Sequence, residues 1–124
     1  MTGGLQGLVV AHGRLATALL GATEEITGVR GVLTAITNAD CDRALLEERV
    51  REAVGDRATL VFVDLPTGSC FFAVMHGLGA LPNVRLVTGV NLTMLVDFVF
   101  HRQSTLDEAA ARARDVGGTA IAER

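Results

Sequence analysis

The sequence predicts an α/β fold, an open sheet of four parallel strands covered by helices on both faces. Three observations carry that prediction. Apolar, β-branched runs alternate with helical patterns along the whole chain. The run ahead of Asp64, Thr-Leu-Val-Phe-Val, is apolar through its middle, as a central parallel strand covered on both sides must be. Finally, 124 residues that are 49% hydrophobic and 20% charged suit one compact domain, residues 1–124, built around one core.

In chain order, residues 5–11 read as the first strand and residues 14–27 as a helix, with Leu15, Leu19, Ala22 and Ile26 on one face and Gly28 as its stop. Residues 29–36 form a second β-branched run, weakened by Gly31. Asn38-Ala39-Asp40 is a turn, with Asp40 as the expected N-cap of a helix over 41–54. Leu46, Val50 and Val54 line the dry side of that helix, and Gly55-Asp56 ends it. Residues 58–64 are the central strand. Ser69 then begins a helix through Leu78, residues 84–88 are the fourth strand, and a helix runs from about Leu92 to His101. Thr105-Leu106-Asp107-Glu108 is a capping box for a last helix, expected to reach about Val116 and to close at Gly117-Gly118. Residues 119–122 remain as a short tail or strand.

Composition excludes several function classes. Net charge is −3, and the eleven arginines are scattered with no lysine, so no basic footprint for nucleic acid or an anionic membrane exists. There is no Trp or Tyr to build a base-stacking platform. Cys41 and Cys70 stand in no metal-ligand spacing and read as a reduced pair; no metal and no organic cofactor are expected. The amino terminus lacks a basic, cleavable leader, and Asp97, His101 and Arg102 interrupt the most apolar stretch, so the expected location is cytoplasmic.

The chemistry is expected where three turns meet at one edge of the sheet, after Ala11, Asp64 and Thr88. His12 follows the first strand, and Asp64 on a neighbouring strand can accept a hydrogen bond from the Nδ1 proton of its ring. That bond fixes the tautomer and leaves Nε2 as a nucleophile, an arrangement suited to carrying a phosphoryl group. His12 and Asp64 are therefore the candidate catalytic residues. Gly13, Gly68, Ser69 and Asn91 are the candidate phosphoryl-binding residues, because helix starts present free N–H groups and glycine lets the backbone approach closely. Ser69 and Asn91 are equally suited to serve as helix caps. Cys70, at a helix start, is expected to have a lowered pKa. His76 and His101 lie on helices with no carboxylate at ligand spacing. A Ser69–His12–Asp64 hydrolase lacks the flanking glycines of a nucleophile elbow, and Gly77-Leu78-Gly79 follows no strand, so it is not a dinucleotide fingerprint.

These residues also carry a resemblance. Val10-Ala11-His12-Gly13, Val61-Phe62-Val63-Asp64 with Thr67-Gly68-Ser69, and Thr88-Gly89-Val90-Asn91-Leu92-Thr93-Met94-Leu95 resemble, in order and spacing, the signatures of the mannose-type IIA domain of the phosphoenolpyruvate-dependent sugar phosphotransferase system. The resemblance covers nearly the whole chain. It implies that His12 accepts a phosphoryl group from HPr and passes it to a IIB component for sugar uptake, with Asp64 as its orienting partner. It further implies a homodimer in which a short carboxyl-terminal fifth strand, residues 119–122 here, adds antiparallel to the other subunit's sheet, and contact with the membrane only through a permease complex. The alternative of another class is a regulatory module that binds a target protein according to its phosphorylation state. Two stretches depart from the family pattern. Thr67-Gly68-Ser69-Cys70-Phe71-Phe72 stands where the family has Gly-Gly-Ser-Pro-Phe-Asn, and Thr93 stands in place of Pro. Both leave the histidine and its partner intact and change the surface around them.

Overall fold

A computed structural model of the chain describes residues 3–124. Its strands are β1 (Gln6–Ala11), β2 (Leu33–Thr37), β3 (Thr59–Val63) and β4 (Val84–Thr88). Its helices are α1 (Leu15–Thr27), α2 (Arg43–Val54), α3 (Ser69–Leu78), α4 (Leu92–Val99) and α5 (Leu106–Thr119). All strand pairs are parallel, in the order β2-β1-β3-β4. The predicted open, doubly covered, four-stranded parallel sheet is what the structure has.

Strand alternation divides the interior in two. Val9 and Ala11 of β1 and Leu60 and Phe62 of β3 face α1, α4 and α5, whereas Leu8, Val10, Val61 and Val63 face α2 and α3. β1 and β3 are buried along their whole length, and the edge strands β2 and β4 are only partly so. Gly7 marks a close approach in β1. A Cβ there would meet Leu33 Cδ2 at 2.5 Å and Phe98 Cε2 at 2.8 Å, so its absence lets Phe98 reach the sheet and pack edge-on against Phe62, 5.2 Å between ring centres.

β1 lies between β2 and β3, so the chain leaves it toward opposite sides of the sheet. That is the switch point at which open α/β sheets leave a crevice beyond the carboxyl ends of their strands. The register Val10↔Val63 brings the ends of β1 and β3 level.

Several boundaries differ from the sequence expectation, each for a local reason. Asp40 is not the cap of α2. It takes φ +57°, and Asp42 caps instead, its carboxylate accepting from the Leu45 N–H at 2.8 Å. β2 starts at Leu33, because Gly31 at φ +80° turns the chain first. In α1 the buried residues are Ala16 and Thr23, with Leu15 and Ile26 exposed, so small residues let this helix sit close to the sheet. α4 ends at Val99. α5 does not stop at Gly117-Gly118 but runs through both to Thr119; Gly117 is buried against Met94, where a Cβ would collide with the methionine side chain. Gly117 serves helix packing rather than helix termination, and Gly118 is exposed with open space around it. Residues 120–124 follow without regular structure, and no helix among the described residues is long and apolar enough to cross a membrane.

Candidate phosphoryl-transfer site

β1 delivers His12 to the switch point, and Gly13, at φ +59°, turns the chain so that the Leu15 N–H bonds the His12 carbonyl at 3.2 Å and α1 can begin. β3 delivers Asp64 beside it. Asp64 Oδ2 accepts twice from the same residue, from the His12 backbone N–H at 2.9 Å and from Nδ1–H of the ring at 2.8 Å. Its other oxygen accepts from the Leu65 N–H at 3.0 Å. Burial by itself would raise the Asp64 pKa, but these donors outweigh it, the His12 backbone bond first, and hold the carboxyl below the usual carboxylate range. An ionised carboxylate only accepts, so Nδ1 carries the proton and the lone pair lies on Nε2. The His12 side chain is 39% exposed and that of Asp64 10%. The ring faces outward while the carboxylate that anchors it is held inside.

The start of α3 closes over Nε2. Ser69 Oγ stands 3.5 Å from it, at the outer limit of a hydrogen bond. Gly68 takes φ +94°, and a Cβ on it would lie 3.6 Å from both Nε2 and Cε1, inside the space that oxygens on a phosphorylated ring would need. Gly68 is also the N-cap of α3 and offers no capping side chain, which leaves the helix's first N–H groups without one.

One site residue escaped the sequence reading. Asn38, just past β2, donates from Nδ2 to Ser69 Oγ at 3.1 Å and accepts from the Gly13 N–H through Oδ1 at 3.1 Å. It ties the loops after β1 and β2 to the start of α3, and by donating to Ser69 Oγ it leaves that hydroxyl's own proton free to point at the ring. The signal was available: Asn38 follows a parallel strand at the same sheet edge as His12 and Asp64, where the strand-end argument applies to it equally.

Gly13 lies in the site, with its N–H engaged by Asn38. The Asn91 amide is committed elsewhere. Oδ1 caps α4 by accepting from the Met94 N–H and Nδ2 donates to the Gly117 carbonyl, each at 3.0 Å, so its cap role is the one the structure displays. The Cys70 expectation is reversed: burial first, then the charge of Asp64, pushes its thiol up to about 11, against the pull of the helix start. His101 does have a carboxylate at helical spacing, with Nδ1 3.3 Å from an Asp97 oxygen. That carboxylate also receives both arms of Arg112 at 2.8 Å, well away from His12, in a tie between α4 and α5.

An exposed imidazole with its second nitrogen anchored on a carboxylate, under a glycine gap and a helix start, is arranged to form a bond at Nε2. In sequence, residues 7–114 match the family described as the PTS system fructose IIA component. The chain belongs to this family. It is therefore a IIA component of the phosphotransferase system, a phosphotransferase component by class. No curated protein matches the chain. Among solved structures it is similar to the mannose/sorbose-specific IIA subunit from Enterococcus faecalis, at 25% identity and a TM-score of 0.86, covering 98% of this chain and 96% of that one. The EIIA component from Streptococcus agalactiae, at 22% identity, has the same fold with a TM-score of 0.88 over 96% of each chain. A sigma-54 interaction domain protein from Enterococcus faecalis shares the fold at 14% identity, with a TM-score of 0.77 over 97% of this chain and 95% of that one.

Proposed function

We propose that His12 is the phosphoryl-carrying residue of this IIA component, accepting from phospho-HPr in the cytoplasm and passing the group to a IIB component for sugar uptake. The observation that carries the reading is the 2.8 Å bond from Nδ1–H to Asp64, which leaves the exposed Nε2 as the free nucleophile. In the transfer the Nε2 lone pair attacks phosphorus, a new N–P bond forms as the donor's N–P bond breaks, and the donor imidazole leaves with the electron pair. Asp64 stabilises the positive charge that grows on the ring. Ser69 Oγ and the start of α3 meet the phosphoryl oxygens, with Gly68 leaving room and Gly13 shaping the turn. Asn91 serves this site by fixing the start of α4. Transfer onward reverses the steps toward the recipient's nucleophile, and neither direction calls on a metal or organic cofactor.

Intact-protein mass spectrometry after incubation with phosphoenolpyruvate, enzyme I and HPr tests this directly. The expected result is one added phosphoryl group, removed by mild acid as an N–P bond requires. An unchanged mass beside phosphorylated HPr would exclude the carrier role and favour a regulatory binding module.

We further propose that the working form is a homodimer in which residues 120–122 of each subunit, the part of the expected 119–122 strand that lies beyond the end of α5 at Thr119, pair with the other's sheet. Several apolar side chains support it. Ile121 is 81% exposed beyond α5, and a groove of about 460 Å³ lined by Ile26, Leu92, Val96, Phe100 and Val116 lies open on the α1, α4 and α5 side. Both edges of the sheet also end in a strand with one unpaired side, which a further strand would satisfy. Light scattering should report twice the 13.0 kDa chain mass. A monomer at micromolar concentration would rule the arrangement out.

A further inference from the structure

Cys70 takes no part in the transfer described above, yet its fully buried thiol sits beside the His12–Asp64 pair. A ring nitrogen of His12, a carboxylate oxygen of Asp64 and Sγ of Cys70 all lie within 4.8 Å of one another. We propose that these three residues form a binding site for a borderline-soft divalent cation, Zn²⁺, and that the bound ion withholds His12 from phosphoryl transfer. The binding half of the proposal stands on donor geometry alone, and the blocking half rests on the phosphocarrier reading.

The donor set selects the metal. Imidazole, carboxylate and thiolate together are zinc ligands, whereas Mg²⁺ and Ca²⁺ favour oxygen alone. Bonds of about 2.0–2.3 Å in a tetrahedral zinc site put neighbouring donors roughly 3.3–3.6 Å apart. The Nδ1 to Oδ2 pair, now at 2.8 Å, would open by about half an ångström, and the span of up to 4.8 Å would close by about one. The 39% exposed His12 side chain has room to make that adjustment. Three protein ligands leave the fourth position to water. On binding, Cys70 forms an S–Zn bond and its proton passes to solvent, while Nδ1 of His12 takes the metal and the ring's proton moves to Nε2, which removes the lone pair needed to attack phosphorus; no oxidation state changes. Because the ligands stand just past β1, just past β3 and in α3, no local spacing announces the site, and Cys70 occupies a position where the resembled family has proline.

Cobalt(II), a spectroscopic stand-in for zinc, is titrated into the reduced full chain. The expected result is a near-ultraviolet thiolate-to-cobalt charge-transfer band that is present in the parent and in Cys41→Ser and absent in Cys70→Ser. In competition with a chromogenic chelator, Cys70→Ser should lower zinc affinity by at least about 100-fold, the upper range seen when outer-shell groups alone are lost. If Cys70→Ser fails to fold by circular dichroism, His12→Ala, whose side chain is largely outside the core, must weaken zinc to a similar degree. No band in the parent, a band that survives Cys70→Ser, or one lost only in Cys41→Ser would overturn the site. With HPr phosphorylation followed in the same mixture, equimolar Zn²⁺ should stop phosphoryl uptake where Mg²⁺ does not. Zinc bound with uptake unslowed would overturn the blocking half. A chain that takes up no phosphoryl group under any condition counts against the carrier reading, and the cobalt band still decides the metal site.

Discussion

His12→Ala should take up no phosphoryl group at all from phospho-HPr under conditions that load the parent chain fully, while its unfolding transition moves by only a few degrees. The first half follows because the alternative nucleophiles near the start of α3 are unsuited to the task. The Ser69 hydroxyl would have only the His12 ring as a base, and the buried Cys70 thiol is held protonated well above neutral pH. The second half follows from how Asp64 is held. Without the ring it still accepts from the backbone N–H groups of residues 12 and 65, so no buried carboxylate oxygen is orphaned. The lost Nδ1 bond and a half-exposed ring are worth roughly 1–2 kcal/mol. Intact mass and thermal unfolding read the two halves separately. Phosphoryl uptake by the variant at the parent level would mean that His12 is not the acceptor.

The pair at the centre of this argument was legible in the sequence because each member ends an apolar run. A parallel strand buried on both faces must be apolar until it emerges, so the first polar residue after Leu8-Val9-Val10-Ala11, and the one after Val61-Phe62-Val63, fall at the sheet edge without further information. Asn38 follows the same rule less visibly. β2 is an edge strand of mixed polarity, Leu-Thr-Ala-Ile-Thr, and its end does not stand out from the Asn-Ala-Asp turn that continues it. Asp40 and Asp42 illustrate a different ambiguity. Two aspartates two residues apart offer the same capping chemistry, and only the backbone angles at 40, fixed by the turn, decide between them. Gly117-Gly118 looks like a stop because glycine disfavours a helix locally by about 1 kcal/mol per residue. The packing of Met94 and the bond from Asn91 to the Gly117 carbonyl outweigh that cost, and both arise from residues far away in the chain. Cys70 failed for a related reason. Its place at a helix start is a local feature, whereas its burial and the neighbouring Asp64 charge are properties of the assembled fold.

Asp64→Asn should slow phosphoryl uptake by about 10²–10⁴-fold without abolishing it, the range expected when a catalytic imidazole loses the group that sets its protonation state. The amide has one acceptor oxygen where the carboxylate has two. With that oxygen toward His12, the NH₂ group faces the Leu65 N–H, donor against donor. With the amide reversed, the NH₂ group faces the His12 N–H and pairs with the ring only if Nδ1 surrenders its proton, which moves the proton to Nε2 and removes the nucleophile. Either orientation strands a donor, at a cost of about 1–3 kcal/mol in stability. The pH dependence separates this account from simple loosening of the loop. The Asp64 carboxyl is held below its ordinary value in the folded chain, so between the folded and unfolded values the unfolded state binds more protons. Its contribution to stability is therefore complete above the unfolded carboxylate range and is lost as pH falls through the lower, folded value. Denaturant unfolding across acid pH should show that loss in the parent and a flatter profile in the variant, which has no carboxyl to protonate. If the two profiles ran parallel, Asp64 would not be the anionic anchor of His12. If uptake stayed within about threefold of the parent, far short of the loss expected when an imidazole is freed from its orienting group, the bond at Nδ1 would be structural only.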